Sequence, residues 1–332
     1  MNDRLPIGVV LPTFNCRAYL PAHLAAVREW AVLVEEIVVV DSFSEDGTLA
    51  LLKEQLNKPR VRFLTHPRGL YQSWNFGISQ ITSKYTHVST VGDIITADGL
   101  RHLVATAEKF QADVTLSPPR FFAPDGRVLN EERWPIHHWI EEQRLTCPTA
   151  LASPQAFFAT VLALPQGILG SSAGNLYRTD ALKRHPFPTE YGHCGDTAWA
   201  VRHALRTQFA VTPSVVSQFL VHPKSSEPDR EMMTQLVEHF FELALEATRT
   251  DGPGEWLPLV ETLRTETAEL RRRQRRYDGW RKHPWPWILN PLAWRLRAQR
   301  NGQRARLQQF KEQLRARFCP APRGPDANAR PT

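Results

Sequence analysis

Cysteine is scarce in this 332-residue chain, and its four cysteines, Cys16, Cys147, Cys194 and Cys319, lie far apart. None of them forms the C-x-x-C pair that zinc sites and redox-active thiols commonly use. The sequence therefore predicts neither a structural zinc site nor a disulfide framework, and it favours a reducing compartment.

Long apolar segments are also missing. The first fifteen residues, MNDRLPIGVVLPTFN, contain no basic region followed by a long apolar run, so we expect no signal peptide. The most apolar later stretch, residues 157–170, is interrupted by Pro165, Gln166 and Gly167 and is too broken to span a bilayer. These absences predict a cytoplasmic protein.

The net charge of +7 is distributed unevenly along the chain. Residues 264–317 contain sixteen Lys or Arg and only four Asp or Glu, so the rest of the chain is net acidic. The basic character therefore belongs to a C-terminal segment and does not describe the remainder.

Short apolar runs alternate with helical patterns over the first hundred residues. The runs 7–11 (IGVVL) and 37–40 (IVVV) have the β-branched composition of strands that are buried on both faces. Further strand candidates are 61–64, 87–91 and 114–116, and helical spacing occurs between them. This alternation predicts an α/β fold with a mostly parallel, doubly wound sheet and helices on both faces, in which ligands bind beyond the carboxyl ends of the strands.

The remaining chain predicts three regions. An α/β domain is expected over residues 1–225, a helical, basic extension over 226–318 and a disordered tail over 319–332. Within the first region, residues 120–188 look irregular and are a candidate acceptor-binding segment. Here His137, His138 and Trp139 resemble a metal or stacking cluster, but a surface loop is the favoured interpretation.

Three acidic residues have the positions that nucleotide-sugar chemistry needs. Asp41 ends the second predicted strand, where a carboxylate can accept from the imide N–H of a base. Asp93 is predicted at the end of the fourth strand, where it can hold a divalent metal against a diphosphate. Asp196 begins a helix and can act as a general base toward an acceptor hydroxyl. Each can also be explained without chemistry, since aspartate favours turns and helix N-caps.

The order of motifs resembles a family 2 glycosyltransferase of the GT-A fold, of the bacterial polysaccharide-biosynthesis type. The resemblance covers about residues 5–225. It rests on PTFN at 12–15, VVVDSFSEDGT at 38–48, GLYQSWNFG at 69–77, the Gly-Asp pair at 92–93 and a late helix that begins at Gly195-Asp196.

This resemblance implies an inverting transfer from a UDP-, GDP- or dTDP-sugar, with Asp196 as the base. The residues that it assigns to the nucleotide sugar are Pro12, Thr13, Asn15, Asp41, Asn75, Gly92 and Asp93. It assigns a divalent metal, Mn²⁺ or Mg²⁺, to Asp93 and His222. The implied acceptor is a glycan or a lipid-linked glycan of surface or exopolysaccharide biosynthesis.

The chain departs from the family pattern at three places. The usual Asp-x-Asp-Asp metal motif is replaced by Thr90-Val-Gly-Asp93, Ser42 replaces the second acid after strand two, and Gly195 replaces the usual glutamate before the base. These losses put metal dependence in doubt and leave open a non-catalytic sugar-binding protein of the same fold. A nucleotidyltransferase is disfavoured because no glycine-rich, basic loop follows the first strand.

The C-terminal segment leaves three alternatives. Tryptophans 285, 287 and 294 among basic residues are typical of a stretch that lies on anionic lipid. Leu307, Phe310, Leu314 and Phe318 have the helical spacing of a face that packs on a partner or on the first domain. Nucleic-acid binding is the least favoured, because no recognised motif accompanies the charge.

Overall fold

The computed structural model describes residues 4–221, 230–281 and 291–320. Its largest element is an eight-stranded sheet in the order β3-β2-β1-β4-β9-β6-β10-β8. The strands are β1 (Leu5–Thr13), β2 (Val34–Asp41), β3 (Val61–Thr65), β4 (Tyr85–Val88), β6 (Val114–Leu116), β8 (Thr149–Leu151), β9 (Asn175–Arg178) and β10 (Phe209–Val211). A second sheet joins β5 (Ile94–Ile95), β11 (Ser217–Leu220) and β7 (Arg120–Phe122) in that order.

Pairing in the large sheet is mainly parallel. Strands β1 to β4 are parallel neighbours, as are β6 and β10, whereas β9 and β8 pair antiparallel with their neighbours. The chain runs outward from β1 to β3 and then returns to place β4 on the other side of β1. This reversal opens a crevice beyond the carboxyl ends of β1 and β4, which is where such sheets bind ligands.

Eleven α-helices are found in the described part of the chain. They are α1 (Leu20–Trp30), α2 (Thr48–Gln55), α3 (Leu70–Gln80), α4 (Ala97–Phe110), α5 (Pro135–Glu142), α6 (Ser153–Ala163), α7 (Thr179–Arg184), α8 (Gly195–His203), α9 (Arg230–Asp251), α10 (Leu257–Arg281) and α11 (Pro291–Phe318). The α/β class and the mainly parallel sheet with helices on both faces are as the sequence predicts.

Strand β1 shows why its sequence is apolar at successive positions. Val10 faces one hydrophobic core together with Val38 and Val40, while Val9 and Leu11 face a second core on the opposite side of the sheet. Side chains alternate between faces in a strand, so a strand covered on both sides needs apolar residues throughout.

The expectation of an irregular segment over residues 120–188 is wrong. This segment contains three helices, α5, α6 and α7, and three strands, β7, β8 and β9. The surface-loop interpretation of His137, His138 and Trp139 is wrong as well, because all three lie on α5, with His137 and Trp139 buried. His137 donates from Nε2 to the Pro119 carbonyl while Nδ1 accepts from the Trp134 N–H, which leaves the ring no lone pair for a metal.

The C-terminal helices pack on the α/β body. The rings of Phe318 on α11 and Phe158 on α6 stack with centroids 3.8 Å apart, and Leu307 and Leu314 are buried in the same core. This supports the packing interpretation for this face of α11. Within the described ranges, no helix has the length and apolar character needed to cross a membrane. Tryptophans 285 and 287, and the tail from residue 321, lie outside the described residues.

Candidate functional site

A cleft of about 280 Å³ lies at the carboxyl ends of β1, β2 and β4. The amino end of α3 forms its second wall. Its lining residues are Pro12, Thr13, Phe14, Ser42, Arg68, Gly69, Leu70, Ser73, Thr90 and His193. The cleft therefore occupies the crevice that the strand order predicts.

Asp41 does not line the cleft, but it binds Thr13, which does, and it is almost completely buried, with 1% of its surface exposed. Its Oδ1 accepts from the Thr13 hydroxyl at 2.9 Å and from the Ser44 hydroxyl at 2.7 Å. Its Oδ2 accepts from the Ser44 N–H at 2.8 Å. The carboxylate thus ties the ends of β1 and β2 together. Oδ2 accepts one of these three hydrogen bonds and can accept a second.

Asn15 directly follows Phe14, which lines the cleft, and it connects two loops. Its N–H donates to the Ser44 hydroxyl at 2.9 Å, and its Oδ1 accepts from the Glu45 N–H at 2.9 Å. Its backbone has a φ of +43°, a conformation that asparagine tolerates better than most residues. The residue holds the loop after β1 in place, and its amide nitrogen is directed to no protein acceptor among the described hydrogen bonds.

Arg68 supplies positive charge to the cleft wall, and the sequence analysis did not identify it. Its guanidinium lies 4.3 Å from the centroid of the Phe14 ring, within the range of a cation–π contact. Arg68 directly precedes Gly69 and α3. The N–H groups of the first turn of a helix carry the positive end of the helix dipole, so this end of α3 adds to the positive charge of Arg68. The sequence did contain a signal for Arg68, since a basic residue directly before a helix, near the end of a strand, is suited to bind phosphate.

Asp93 lies in a turn after β4 and not at the end of that strand, because β4 stops at Val88. Its N–H donates to the Thr90 carbonyl, and Gly92 between them has a φ of +105°, which favours glycine. The carboxylate accepts from the Ser171 hydroxyl at 2.9 Å and from the Leu220 N–H at 3.3 Å. Burial raises the pKa of Asp93 to about 7, and the Ser171 hydrogen bond opposes this shift.

The residues around Asp93 do not by themselves fit a divalent metal. No group of three or more His, Cys, Asp or Glu side chains arranged to hold a metal occurs among residues 4–221, 230–281 and 291–320. A hard cation prefers about six oxygen ligands, whereas this turn offers a single carboxylate that already accepts two hydrogen bonds. The second predicted metal ligand, His222, lies outside the described residues.

Asp196 is the second residue of α8 and is half-buried. Its Oδ1 accepts from the Thr197 N–H at 2.6 Å. Burial raises the pKa of Asp196 to about 6, although hydrogen bonds from Thr197 and Tyr71 oppose the shift. A carboxylate with this pKa is ionised at neutral pH and is a stronger base than an exposed aspartate.

Tyr71 explains why glycine precedes this acid. A side chain at position 195 would place its Cβ only 2.6 Å from the Tyr71 ring and even closer to the Pro188 carbonyl oxygen. The Tyr71 hydroxyl donates to the His193 carbonyl at 3.2 Å. The aromatic ring therefore occupies the space that a glutamate at position 195 would need, so the departure from the family pattern has a steric cause.

Asn75 lies on α3 away from the cleft lining. Its Nδ2 donates to the Phe187 carbonyl at 2.8 Å, and its Oδ1 accepts from the Phe187 N–H at 3.0 Å. Both ends of the amide are therefore used to hold the segment that leads to α8. Its role in nucleotide-sugar binding stays a prediction.

The structure brings the donor-side and base-side residues together through His193. Pro12 and Thr13 line the cleft directly, and His193 completes its wall from a segment more than a hundred residues later. His193 precedes Asp196 by three residues, so the segment that carries the predicted base also forms part of the cleft wall, although Asp196 itself does not line the cleft. The sequence offered no pattern that could have identified His193.

The comparisons with known proteins concern the family and the fold. Residues 8–163 match the family model described as glycosyl transferase family 2. The S. aureus TarS fragment 1–349 in complex with UDP is 18% identical, with 94% of this chain and 92% of that chain covered and a TM-score of 0.52. The same fragment with UDP-GlcNAc is 17% identical, with the same coverage and a TM-score of 0.54.

A third similar structure is the mannosyltransferase PcManGT from Pyrobaculum calidifontis in complex with GDP-Man and Mn²⁺. It is 16% identical, with 95% of this chain and 87% of that chain covered and a TM-score of 0.59. No curated protein matches the chain. At these identities the structural likeness shows the fold alone, which is the GT-A fold.

Proposed function

Residues 8–163 match glycosyl transferase family 2, and from that premise we propose that the chain transfers one sugar, with inversion, from a nucleotide-sugar donor to a glycan or lipid-linked acceptor. The setting that we propose is surface or exopolysaccharide biosynthesis. The observation that carries the proposal is the cleft at the carboxyl ends of β1, β2 and β4, which meets the base-side segment at His193. Asp196 follows on the same segment.

On the donor side, the nucleotide lies in the cleft between the end of β1 and the amino end of α3. Pro12 and Thr13 line this space, and Asp41 beneath them retains an acceptor position for a base N–H. Arg68 and the first N–H groups of α3 provide positive charge for the diphosphate. Because Arg68 and α3 already neutralise part of the negative charge of the diphosphate, a metal at Asp93 would have less of that charge to neutralise.

On the acceptor side, Asp196 takes the proton of the attacking hydroxyl. The hydroxyl oxygen forms a bond to the anomeric carbon as the bond to the nucleoside diphosphate breaks, and the diphosphate leaves with the electron pair. One displacement from the opposite face inverts the anomeric centre, and it needs one carboxylate rather than the flanking pair of a glycoside hydrolase.

The proposal also concerns the basic, helical extension at residues 226–318. We propose that residues 1–225 form the donor-binding domain and that residues 226–318 lie on an anionic membrane surface. On α11, Leu292 and Trp294 are 44% and 57% exposed and lie beside Arg295 and Arg297, which is the composition of an interfacial helix.

Thermal stabilisation by nucleotide sugars tests the proposal. A ligand that binds only the folded state raises stability by about 2.7 kcal/mol at a hundredfold excess over its Kd. We expect one nucleotide class to raise the Tm, and Asp41→Ala to abolish that shift. Manganese that increases the shift would support a metal at Asp93.

The second candidate function is a non-catalytic sugar-binding protein, and the single acid of the Thr90-Val-Gly-Asp93 motif favours it. The two candidates differ in turnover. Donor binding without any release of nucleoside diphosphate, over a panel of acceptors, would favour the binding protein. No binding of any donor by the folded protein would contradict both.

A further inference from the structure

A second, larger cavity adjoins the proposed site. Its volume is about 710 Å³, and it lies between the segment Glu190–Cys194 and the first turns of α9. Most of the exposed wall is apolar and includes Tyr191, Cys194, Met232, Met233 and Leu236, while the polar lining residues are Glu190, His193, Gln235 and His239. We call this cavity the apolar pocket.

The wall of the apolar pocket is held in place by packing. The Tyr191 ring lies 5.9 Å from the Phe240 ring on α9, and the Arg202 guanidinium lies 5.7 Å from the centroid of the same Tyr191 ring. Arg202 also lies 3.6 Å from Glu190. The segment 190–194 is therefore anchored to both α8 and α9, so the pocket has a defined shape.

The apolar pocket and the proposed donor cleft share a wall residue. His193 lines both cavities, and it is the one residue common to the two linings within the described part of the chain. The Tyr71 hydroxyl, whose hydrogen bond also lowers the pKa of Asp196, fixes the His193 carbonyl. Cys194, which also lines the apolar pocket, precedes Asp196 by two residues, so one wall of the pocket belongs to the segment that leads to the proposed base.

The chemistry of the walls restricts what this molecule is. Sugar hydroxyls placed against methionine, leucine and cysteine side chains would lose water without gaining hydrogen bonds, which is unfavourable. An alkyl chain gains from the same contacts, because burial of each methylene favours binding. A volume of about 710 Å³ is within the range of small-ligand sites.

We propose that the apolar pocket binds the alkyl chain of a glycolipid acceptor and so directs the acceptor hydroxyl toward Asp196. This inference rests on the proposed function, since it names the acceptor class of the same site. It is tested by a binding measurement that requires no sugar transfer.

Cys194 provides the measurement. It lines the apolar pocket and is half-buried, whereas Cys147 is exposed and lies elsewhere. The intact protein is alkylated with iodoacetamide in the presence of octyl β-glucoside, below its micelle concentration, or of methyl β-glucoside, and the labelled peptides are quantified by mass spectrometry. We expect octyl β-glucoside to slow labelling of Cys194 about tenfold at saturation, methyl β-glucoside to have no effect, and Cys147 to label equally in all samples.

Two variants with similar exposure provide the control. Met232 lines the apolar pocket and is 60% exposed, while Val32 is 58% exposed and lies between α1 and β2. We expect Met232→Gln to weaken the protection of Cys194 and Val32→Gln to leave it unchanged. Because both side chains are largely exposed, neither substitution removes core packing.

Several outcomes would overturn the inference. These are equal protection by both glucosides, no protection by either, or the same loss of protection in Val32→Gln. Burial and the nearby Asp196 carboxylate raise the pKa of the Cys194 thiol, so its labelling rate in the free protein is the reference for each comparison and not itself an outcome. Failure of the proposed function would appear separately, as the absence of any donor-induced rise in Tm.

Discussion

Asn75 and Phe187 form a reciprocal pair of hydrogen bonds, in which the Asn75 side chain binds both the N–H and the carbonyl of Phe187. The Phe187 ring packs within 5.7 Å of Tyr71, Trp74, Tyr177 and Trp199, measured between ring centroids. This pair fixes α3 to the segment that leads to Asp196. The donor side and the base side of the proposed site are therefore one rigid arrangement.

Asn75→Ala is expected to lower the free energy of unfolding by about 2 kcal/mol, since two buried backbone groups lose their partner. Urea unfolding measures this loss. Asn301→Ala, on the exposed surface of α11, is the control and should change stability by less than about 0.5 kcal/mol. Equal stability of the two variants would contradict the structural role that we give to Asn75.

Asp196→Asn is expected to lower kcat by about two to four orders of magnitude, because asparagine cannot accept the acceptor proton. Asp196 is not the N-cap of α8, because that position is held by Cys194. If Asp196 only stabilised the first turn of α8 by accepting from the Thr197 N–H, the variant would lose little activity, since the asparagine oxygen can accept the same bond. Steady-state kinetics together with the Tm of each variant separates the two cases. An unchanged kcat in a folded variant would exclude the base role.

The pH profile provides a second test of Asp196. A base must be deprotonated to act, and burial raises the pKa of this carboxyl to about 6. We therefore expect kcat/KM to fall as pH decreases below about 6 and to reach a plateau above about 7. The residual activity of Asp196→Asn should not show this fall at low pH. If the fall persists in the variant, it is caused by the titration of another group.

Arg68→Ala is expected to weaken donor binding at least about tenfold, since charge-assisted contacts to phosphate are lost. The measurement is the Tm shift at several donor concentrations, with the free nucleoside compared with the nucleoside diphosphate. Arg101→Ala on α4 removes the same charge away from the cleft and is the control. An equal weakening for the nucleoside would show that Arg68 does not act on the phosphates.

His87 makes stability depend on pH. It is buried on β4, where its Nδ1 donates to the Asn175 carbonyl at 3.0 Å, and burial lowers its pKa from 6.5 to about 4. The unfolded chain therefore binds this proton more readily, so stability is lost as pH falls from about 6.5 toward 4, by roughly 3 kcal/mol at most. His87→Asn keeps a donor without titrating.

The Tm of wild type and His87→Asn, measured from pH 7 to 4.5, tests this expectation. The comparison concerns the slope and not the absolute Tm, because the smaller side chain also leaves a cavity. We expect the slope of the variant to be clearly smaller. Parallel curves would mean that other groups determine the acid sensitivity.

Membrane association is tested by flotation with liposomes. We expect binding to vesicles that contain anionic lipid and not to neutral vesicles, with release as salt rises, because the attraction of arginines to the surface is screened. Trp294→Ser should bind to the anionic vesicles more weakly than the wild-type protein does. Absence of binding to anionic vesicles at low salt would exclude this part of the proposal.

The sequence by itself determined the elements that are set by local pattern. Apolar residues at successive positions identified β1 and β2, because a strand covered on both faces must be apolar throughout. The motif order indicated the family that residues 8–163 match, and the predicted strand end and helix start located Asp41 and Asp196. Local pattern failed at α6, where Ala156 to Leu162 are all buried and no amphipathic period exists to reveal a helix.

Only the tertiary structure decided which residues meet. The cleft joins Arg68 with His193, and the apolar pocket joins Cys194 with Met232, although neither pair is close in sequence. It also explained Gly195, whose missing side chain leaves room for Tyr71. Such contacts depend on how strands are ordered and how helices pack, and these are properties of the whole chain that no local pattern of residues specifies.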